Sequence, residues 1–248
     1  MEPFNSTLHD GGSVFLGKVG PGQTFAIAIS ATTSNATGAV FPRGWNELNV
    51  TKKPQGWVVE NSSLNNANET VKITTAPTAA NGTYELNLTA TNIGNYSRLG
   101  KLNFTAYINV TPNVFALSVT PTSISTGPGE PATITVSINN TGVSDSPFQI
   151  EAVGLPAWNL TETVIALHHT ERNFSYSIYE NEPGNYSAVM QVTSTASPLV
   201  SAKSNIEIGI QASVLNDYAA IGEGAIAFPI IYEPAYAVMY LIGKLFGG

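Results

Sequence analysis

Hydrophobic and polar residues alternate along most of this chain, in short runs separated by Gly, Pro and Asn. A period of two is typical of β-strands with one buried face, because successive side chains point to opposite sides of a sheet. The alternation predicts four stripes of inward-facing side chains: Tyr84, Leu86, Leu88 and Ala90; Leu102, Phe104, Ala106, Ile108 and Val110; Ile134, Val136 and Ile138; and Phe174, Tyr176 and Ile178. We therefore expect an all-β protein of antiparallel β-sandwiches.

The sequence contains two copies of one pattern of motifs. Four landmarks recur in the same order 101 to 107 residues apart: Gly-Pro-Gly at 20–22 and 127–129, a Trp motif at 54–57 and 155–158, polar-flanked strands at 68–77 and 170–179, and Gly-X-Tyr at 82–84 and 184–186. This order indicates a tandem duplication. The predicted divisions are an N-terminal segment 1–10, sandwiches 11–111 and 112–214, and an apolar segment 215–248.

Smaller features of the repeat also have predicted roles. Residues 111–113 form a short stiff joint, and residues 32–48 are an insertion in the first repeat. The Gly of each Gly-X-Tyr phrase is expected to adopt positive φ, and the Tyr to bury its ring beside the facing sheet. Trp57 and Trp158 are interpreted as core residues between the sheets, with an exposed sugar-stacking platform as the alternative.

Asn-X-Ser/Thr sequons are the strongest compositional signal. Fourteen of the 23 Asn begin one, whereas the 47 Ser and Thr among 248 residues would give about four or five by chance. The candidate glycosylation sites are Asn5, Asn35, Asn49, Asn61, Asn68, Asn81, Asn87, Asn95, Asn103, Asn109, Asn139, Asn159, Asn173 and Asn185. Asn87, Asn103, Asn109, Asn139 and Asn173 fall on the polar parity of their strands, as a glycan requires.

These sequons predict an extracellular, cell-surface glycoprotein carrying N-linked glycans. Only 11% of the residues are charged, so glycans would supply the missing surface hydration. The start MEPFNST has no signal-peptide pattern, and we expect the numbering to begin at a mature or engineered N-terminus. A net charge of −7 argues against nucleic acid as a partner.

Catalytic or metal chemistry has little support. The chain has no Cys, three His (His9, His168, His169) and three Asp (Asp10, Asp145, Asp217). His168 and His169 are interpreted as neighbours on one strand, so they point to opposite faces and cannot share a metal. Glu180 and Glu182 lie beside a turn and are interpreted as solvated surface rather than a glycosidase pair. No calcium loop or phosphate-binding Gly loop is present, so we expect no enzyme activity, no cofactor and no metal.

The order Gly-Trp, polar-flanked strand and Gly-X-Tyr, together with VTPTSISTGPGEPATITVSINNTG at 119–142, resembles a known family. It is the NPCBM-associated, alpha-galactosidase-type Ig-like module, with its CARDB-like adhesion relatives. The resemblance spans about residues 11–214. The two repeats differ before the Trp, where the first has Gly56 and the second has Ala157. It implies tandem Ig-like spacers or accessory domains of exported, often archaeal, membrane-anchored proteins, and it brings no catalytic residues.

The C-terminal segment 215–248 has a different texture, apolar and without sequons. Residues 224–246 are long enough to span a bilayer, but Pro229 and Pro234 interrupt a helix and Glu233 would lie near mid-membrane. The segment is expected to be partly helical. Three placements remain open: a membrane anchor or interfacial helix, burial against another subunit, and packing on its own domain.

Together these features predict a structural, N-glycosylated, archaeal cell-surface protein that builds or anchors a surface layer (S-layer) or filament. Its partners would be copies of itself or another surface-layer subunit, and the membrane if residues 224–246 are an anchor. The alternative is a carbohydrate-binding accessory module of an exported hydrolase, which an exposed aromatic strip beside Trp57 or Trp158 would favour.

Overall fold

The computed structural model describes residues 6–30, 32–34, 37, 40–42, 45–61, 69–93, 100–155 and 158–211, and the statements below refer to them. Within these ranges the chain forms seventeen β-strands and no helix. The all-β class predicted from the alternation is confirmed.

The first half contains nine strands: β1 (Ser13–Val19), β2 (Thr24–Ile29), β3 (Thr32–Ser34), β4 (Val40–Pro42), β5 (Glu47–Lys52), β6 (Val58–Glu60), β7 (Glu69–Thr74), β8 (Gly82–Thr91) and β9 (Leu102–Val110). One sheet has the order β1-β9-β8-β5 and the other β2-β7-β6. The small hairpin β3-β4 lies within the predicted insertion 32–48 and is paired with neither sheet.

The second half contains eight strands: β10 (Phe115–Thr120), β11 (Ser123–Thr126), β12 (Pro131–Asn140), β13 (Ser146–Leu155), β14 (Trp158–Ala166), β15 (Thr170–Tyr179), β16 (Gly184–Ser194) and β17 (Ser197–Ile210). Its sheets have the orders β10-β12-β15 and β11-β17-β16-β13-β14. In both halves the first strand of the larger sheet runs parallel to the last strand of that half.

Each half has its own hydrophobic cluster between its two sheets. The predicted stripes supply much of both clusters: Leu86, Leu88, Ala106, Ile108, Val110, Ile134, Val136, Ile138, Tyr176 and Ile178 are all buried. Trp57 is also buried, against Phe25 and Tyr84, which confirms its core assignment. Trp158 begins β14, but its side chain lies outside the described part.

Both halves have the strand order of an immunoglobulin sandwich. In the second half β12 and β15 correspond to strands B and E, and β17-β16-β13-β14 correspond to G, F, C and C′. In the first half β2-β7-β6 correspond to B, E and D, and β9-β8-β5 to G, F and C. The strand that follows the repeated Trp motif therefore changes sheet: β6 pairs with β7, whereas β14 pairs with β13.

The repeated Gly-X-Tyr phrase forms a tyrosine corner in each half. Tyr84 Oη donates to the carbonyl of Ala80 (3.0 Å), and Tyr186 Oη donates to the carbonyl of Glu182 (2.7 Å). Such a bond to the backbone just upstream fixes the turn into strand F. The prediction of a positive φ is wrong for the second phrase, because Gly184 is not among the residues with positive φ. The feature that the two phrases share is the hydrogen bond from the Tyr hydroxyl to the backbone.

The two halves contact each other directly at a junction. The N–H of Val143 donates to the carbonyl of Lys18 (2.9 Å), and the hydroxyl of Ser197 donates to the carbonyl of Pro77 (3.0 Å). The Val143 side chain packs against the cluster of the first half. The junction thus extends beyond the predicted joint at 111–113. Independent folding of 11–111 and 112–214 stays a prediction.

The C-terminal segment 215–248, with its predicted helix, lies outside the described residues. In the described part of the chain, no helix has the length and apolar character needed to cross a bilayer.

Candidate functional site

None of the sequon asparagines whose side chains are described is buried. Six of the Asn are exposed (Asn61, Asn81, Asn103, Asn139, Asn173 and Asn185), and three are half-buried (Asn49, Asn87 and Asn109). Asn5, Asn35, Asn68 and Asn95 lie outside the described residues, and Asn159 lies in β14 with its side chain undescribed. The parity prediction for Asn87, Asn103, Asn109, Asn139 and Asn173 is confirmed in that none of them is buried.

Two adjacent asparagines on β12 differ in exposure, and only the exposed one begins a sequon. Asn139 begins a sequon and is exposed, whereas Asn140 begins none and is only 1% exposed. Asn140 Nδ2 donates to the carbonyls of Ser144 (2.8 Å) and Ala166 (3.0 Å), and its Oδ1 accepts the N–H of Gly142 (3.0 Å). Asn140 Nδ2, the atom type to which an N-linked sugar attaches, therefore uses both of its hydrogens in buried hydrogen bonds.

Four sequons converge on the outer face of the β1-β9-β8-β5 sheet. Because the side-chain period is two, the Asn and Thr of a sequon on a strand point to the same face. Asn87 lies opposite Thr105, and Asn103 opposite Thr89, so each Asn faces the Thr of the other sequon. Thr89 Oγ1 donates to Asn103 Oδ1 (2.9 Å), and Thr105 Oγ1 donates to Asn87 Oδ1 (3.3 Å).

These two bonds use the amide oxygens and not the nitrogens to which N-linked sugars attach. The other two sequons extend the same row, since Asn49 lies opposite Thr89 and Asn109 opposite Thr83. With neighbouring strands about 4.8 Å apart, glycans on these four Asn would cover most of this face.

In the second half, the three-stranded sheet carries sequons on β12 and β15, whereas strands β13 and β17 of the five-stranded sheet contain none. Asn139 and Asn173 are diagonal neighbours on β12 and β15, because Asn139 pairs with Glu171 and Asn173 with Ser137. On the five-stranded sheet, Asn185 lies at the start of β16, and β13 and β17 begin no sequon. Polar side chains such as Gln149 and Glu151 cover β13, joined by a hydrogen bond of 2.6 Å.

The ionisable residues considered for chemistry are largely dispersed. His168 and His169 lie in the turn between β14 and β15 and not on a strand, so the expectation that they face opposite sides is wrong. Their rings are 5.9 Å apart, and His169 has φ +52°. Asp10 Oδ1 accepts the N–H of Asn103. No group of three or more His, Asp or Glu suited to a metal occurs in the described ranges.

Among the described residues, Asp145 is the acidic side chain that pairs with these histidines, through His168. Its Oδ1 accepts both the N–H of His168 (2.8 Å) and a contact from His168 Nδ1 (2.5 Å). Burial opposes ionisation, but the two hydrogen bonds and the attraction to His168 outweigh it, so the pKa of Asp145 lies below its usual value. The Glu180 carboxylate accepts the N–H of Asn181 in an exposed turn, which is a turn-stabilising contact.

A cleft of about 920 Å3 runs along β2 at the side of the first half, and we call it the β2 groove. Its walls come from facing sheets: Phe25, Ile27 and Ile29 on one side, and Val14, Leu16 and Phe104 on the other. Ser6 and Leu8 of the N-terminal segment also line the groove, as do Val143, Asp145, His168 and His169 of the second half. The sequence did not predict this groove. Alternation indicates which side chains point inward, but it does not indicate whether a neighbouring strand pairs with the edge of β2.

No protein-family model and no curated protein matches this chain. Among solved structures it is similar to a chimeric titin Z1Z2 carrying a decorin peptide, with 16% identity over 83% of this chain and 95% of that chain and a TM-score of 0.38. It is similar to the D00-D0 domain of intimin, with 11% identity over 84% and 98% of the chains and a TM-score of 0.28.

A third similarity is to the fibronectin(III)-like modules of Clostridium thermocellum CbhA, with 16% identity over 78% and 88% of the chains and a TM-score of 0.27. All three likenesses are remote, and none of them bears on function.

Proposed function

We propose that this chain is a structural, N-glycosylated cell-surface protein that builds or anchors a surface layer or filament outside the cell. Its sandwiches would be modules of the NPCBM-associated type, and its host an archaeon. Its partners would be further copies or another surface-layer subunit. Residues 215–248 would attach it to a membrane or to a neighbouring subunit.

The observation that carries this proposal is the placement of the sequons. Four Asn point to one outer sheet face, where their glycans would make a continuous coat. Such a coat supports solubility where only 11% of residues are charged. The central strands β13 and β17 begin no sequon, which leaves protein surface for contact with a neighbour.

Glycopeptide mass spectrometry on native material tests the coat. We expect sugars at Asn87, Asn103 and Asn109, where the side chains reach solvent. The peptide that contains both Asn139 and Asn140 is an internal control, because only Asn139 is exposed. Unmodified peptides throughout native material would remove the main support for a surface location.

Electron microscopy of the same material tests assembly. A sheet or a filament with a subunit repeat is expected. Single, unassociated particles in native preparations, with full glycosylation, would leave a surface glycoprotein that builds nothing.

The carbohydrate-binding alternative keeps one specific observation in its favour. Burial of Trp57 removes that residue as a sugar platform. Phe15 and Tyr107, however, are register partners on β1 and β9 and are both exposed, at 54% and 36%. Aromatic rings of this kind can stack on sugars. Tyr107 also lies two residues before Asn109 on the same strand face, so a sugar on Asn109 is a nearer occupant.

Oligosaccharide binding measured by calorimetry separates the two functions. If the chain is a carbohydrate-binding module, Phe15→Ser should abolish binding, whereas Ile165→Ser, an exposed apolar control on β14, should leave it unchanged. On the structural proposal, neither the parent chain nor either variant binds free oligosaccharide.

A further inference from the structure

The β2 groove lies where the second half has a strand for which the described residues of the first half show no counterpart. In the second half β10 pairs with β12, and β11 continues along β17. The counterpart of β12 is β2, and in the described part of the chain no strand pairs with its outer edge. The counterpart of β11 is β1, which follows β9 from Thr105 to Val110 and so leaves the edge of β2 open.

What β10 does in the second half indicates what the groove can accept. Phe115, Leu117 and Val119 alternate along β10 and pack against the core. A strand in the β2 groove would likewise place alternate side chains between Phe25 and Ile27 on one wall and Leu16 and Phe104 on the other. The apolar walls and the open backbone edge together form a strand acceptor.

The open edge has a defined direction and one closed end. Gln23 accepts a bond from Thr75 on the β7 side, so alternation turns the backbone groups of Thr24, Ala26 and Ala28 away from β7. Ser144 Oγ already donates to the carbonyl of Thr24 (2.5 Å) and closes the edge at the junction. A strand antiparallel to β2, as β10 is to β12, must therefore enter from the end remote from the junction.

We propose that the β2 groove receives a strand from the C-terminal segment, residues 215–248, of a second copy of this chain. This inference rests on the proposed function, because it states how the copies join. Ser197 contacts the junction, and β17 then runs fourteen residues to Ile210, so the chain leaves the second half roughly 40 Å away. In a head-to-tail row, that exit lies beside the open end of the next copy's groove.

The sequence of the segment suits this role. Residues 236–242, YAVMYLI, contain no Pro, Gly or charged residue, and these seven residues are enough to pair along the six of β2. Tyr, Val and Ile are residues that fit a pleated, half-buried surface. A segment returning to the groove of its own copy would enter at the junction, where Ser144 and Val143 lie, and would run parallel to β2. Geometry therefore favours the second copy.

Cross-linking of the full chain tests the inference, and the absence of native Cys makes each introduced thiol unique. Cells would co-express Ala28→Cys, at an exposed position of β2, with Val238→Cys, and the assembly would be treated with a short bismaleimide. We expect covalent dimers from the mixture and none from either variant alone. Ser201→Cys, exposed on β17, replaces Ala28→Cys as the control and should give no dimer.

A chain carrying both Ala28→Cys and Val238→Cys separates intermolecular from intramolecular insertion. Intermolecular insertion gives a ladder of covalent oligomers. An internally cross-linked monomer, or no cross-link at all in intact assemblies, would overturn the inference. Assemblies that persist without the cross-link leave the proposed function standing, whereas the lack of any assembly of the parent chain removes that function as well.

A backbone variant tests the open edge itself. Ala26→Pro removes an N–H that points away from β7, a position where an edge strand tolerates Pro. Sedimentation should show monomers for Ala26→Pro and assemblies for the matched Ala26→Ser, with circular dichroism checking the fold of both. Normal assembly by a folded Ala26→Pro would contradict strand insertion. If Ala26→Pro does not fold, the cross-link decides.

Discussion

The two halves of this chain share their central strands and differ at their edges. Each has a tyrosine corner, an apolar stripe on strands B, E, F and G, and a parallel pairing of its last strand with the first strand of its larger sheet. The strand after the Trp motif, however, joins the smaller sheet as β6 and the larger sheet as β14. The strand on the outer edge of B is present as β10, whereas no strand of the described residues lies beside the outer edge of β2.

The difference follows from the number of neighbours that hold a strand. A central strand such as β8 or β16 pairs on both sides and buries one face, so its register is strongly determined. An edge strand pairs on one side only, and few contacts decide which sheet it joins. Duplicated modules can therefore keep one core and diverge at the edges, where partners bind.

The largest expected effects are on the shared cores. Trp57→Ala should destabilise the first half, and Phe148→Ala the second half, each by about 3–5 kcal/mol, because both side chains are almost fully buried. Chemical denaturation with limited proteolysis should show loss of the mutated half first. Loss of both halves together in each variant would show that the junction couples them into one folding unit.

A buried polar network should give the next largest effect, and it belongs to the second half. Asn140→Ala leaves the carbonyls of Ser144 and Ala166 and the N–H of Gly142 without their amide partner, at a cost of about 2–4 kcal/mol. Asn139→Ala is the matched control on the exposed side of the same strand. In unglycosylated protein it should change the unfolding free energy by less than about 0.5 kcal/mol.

The features that sequence reasoning could predict are those in which one residue type has one physical role. Alternation identified Leu86, Ile134 and their neighbours as buried, and the sequon parity at Asn103 and Asn139 agreed with it. The tyrosine corner could not be predicted, because the sequence Gly-X-Tyr does not indicate which group accepts the hydrogen bond from the Tyr84 hydroxyl. His168 was wrongly assigned to a strand because its turn has no Gly or Pro to mark it.

The β2 groove and the sheet change of β14 could not be predicted for a different reason. Both depend on which edge a strand pairs with. That choice is made by contacts between elements far apart in the sequence, as when Ser144 bonds Thr24. The residues in these edge strands alternate whether or not a neighbour is present.

The tyrosine corners offer a comparison between equivalent positions of the two halves. Tyr84→Phe and Tyr186→Phe each remove one hydroxyl bond to the backbone, and each should cost about 0.5–1.5 kcal/mol. The two effects should add in the double variant, since the sites lie in different halves. Thermal unfolding measures all three. A markedly larger loss at either corner would show that the corners are not equivalent.

The smallest effect concerns Asp145, which the second half presents to the β2 groove of the first. Because its pKa is lowered in the folded state, its pairing with His168 stabilises the fold above the usual Asp pKa and is lost as pH falls through the folded value. Asp145 is about half exposed, so the gain at pH 7 should be under about 1 kcal/mol. Asp145→Asn, which can still accept the His168 N–H, should lower the melting temperature slightly at pH 7, and its difference from the parent chain should shrink as the pH falls below the usual Asp pKa. A difference that does not change with pH would mean that the carboxylate charge contributes nothing and that the turn is held by the backbone bond alone.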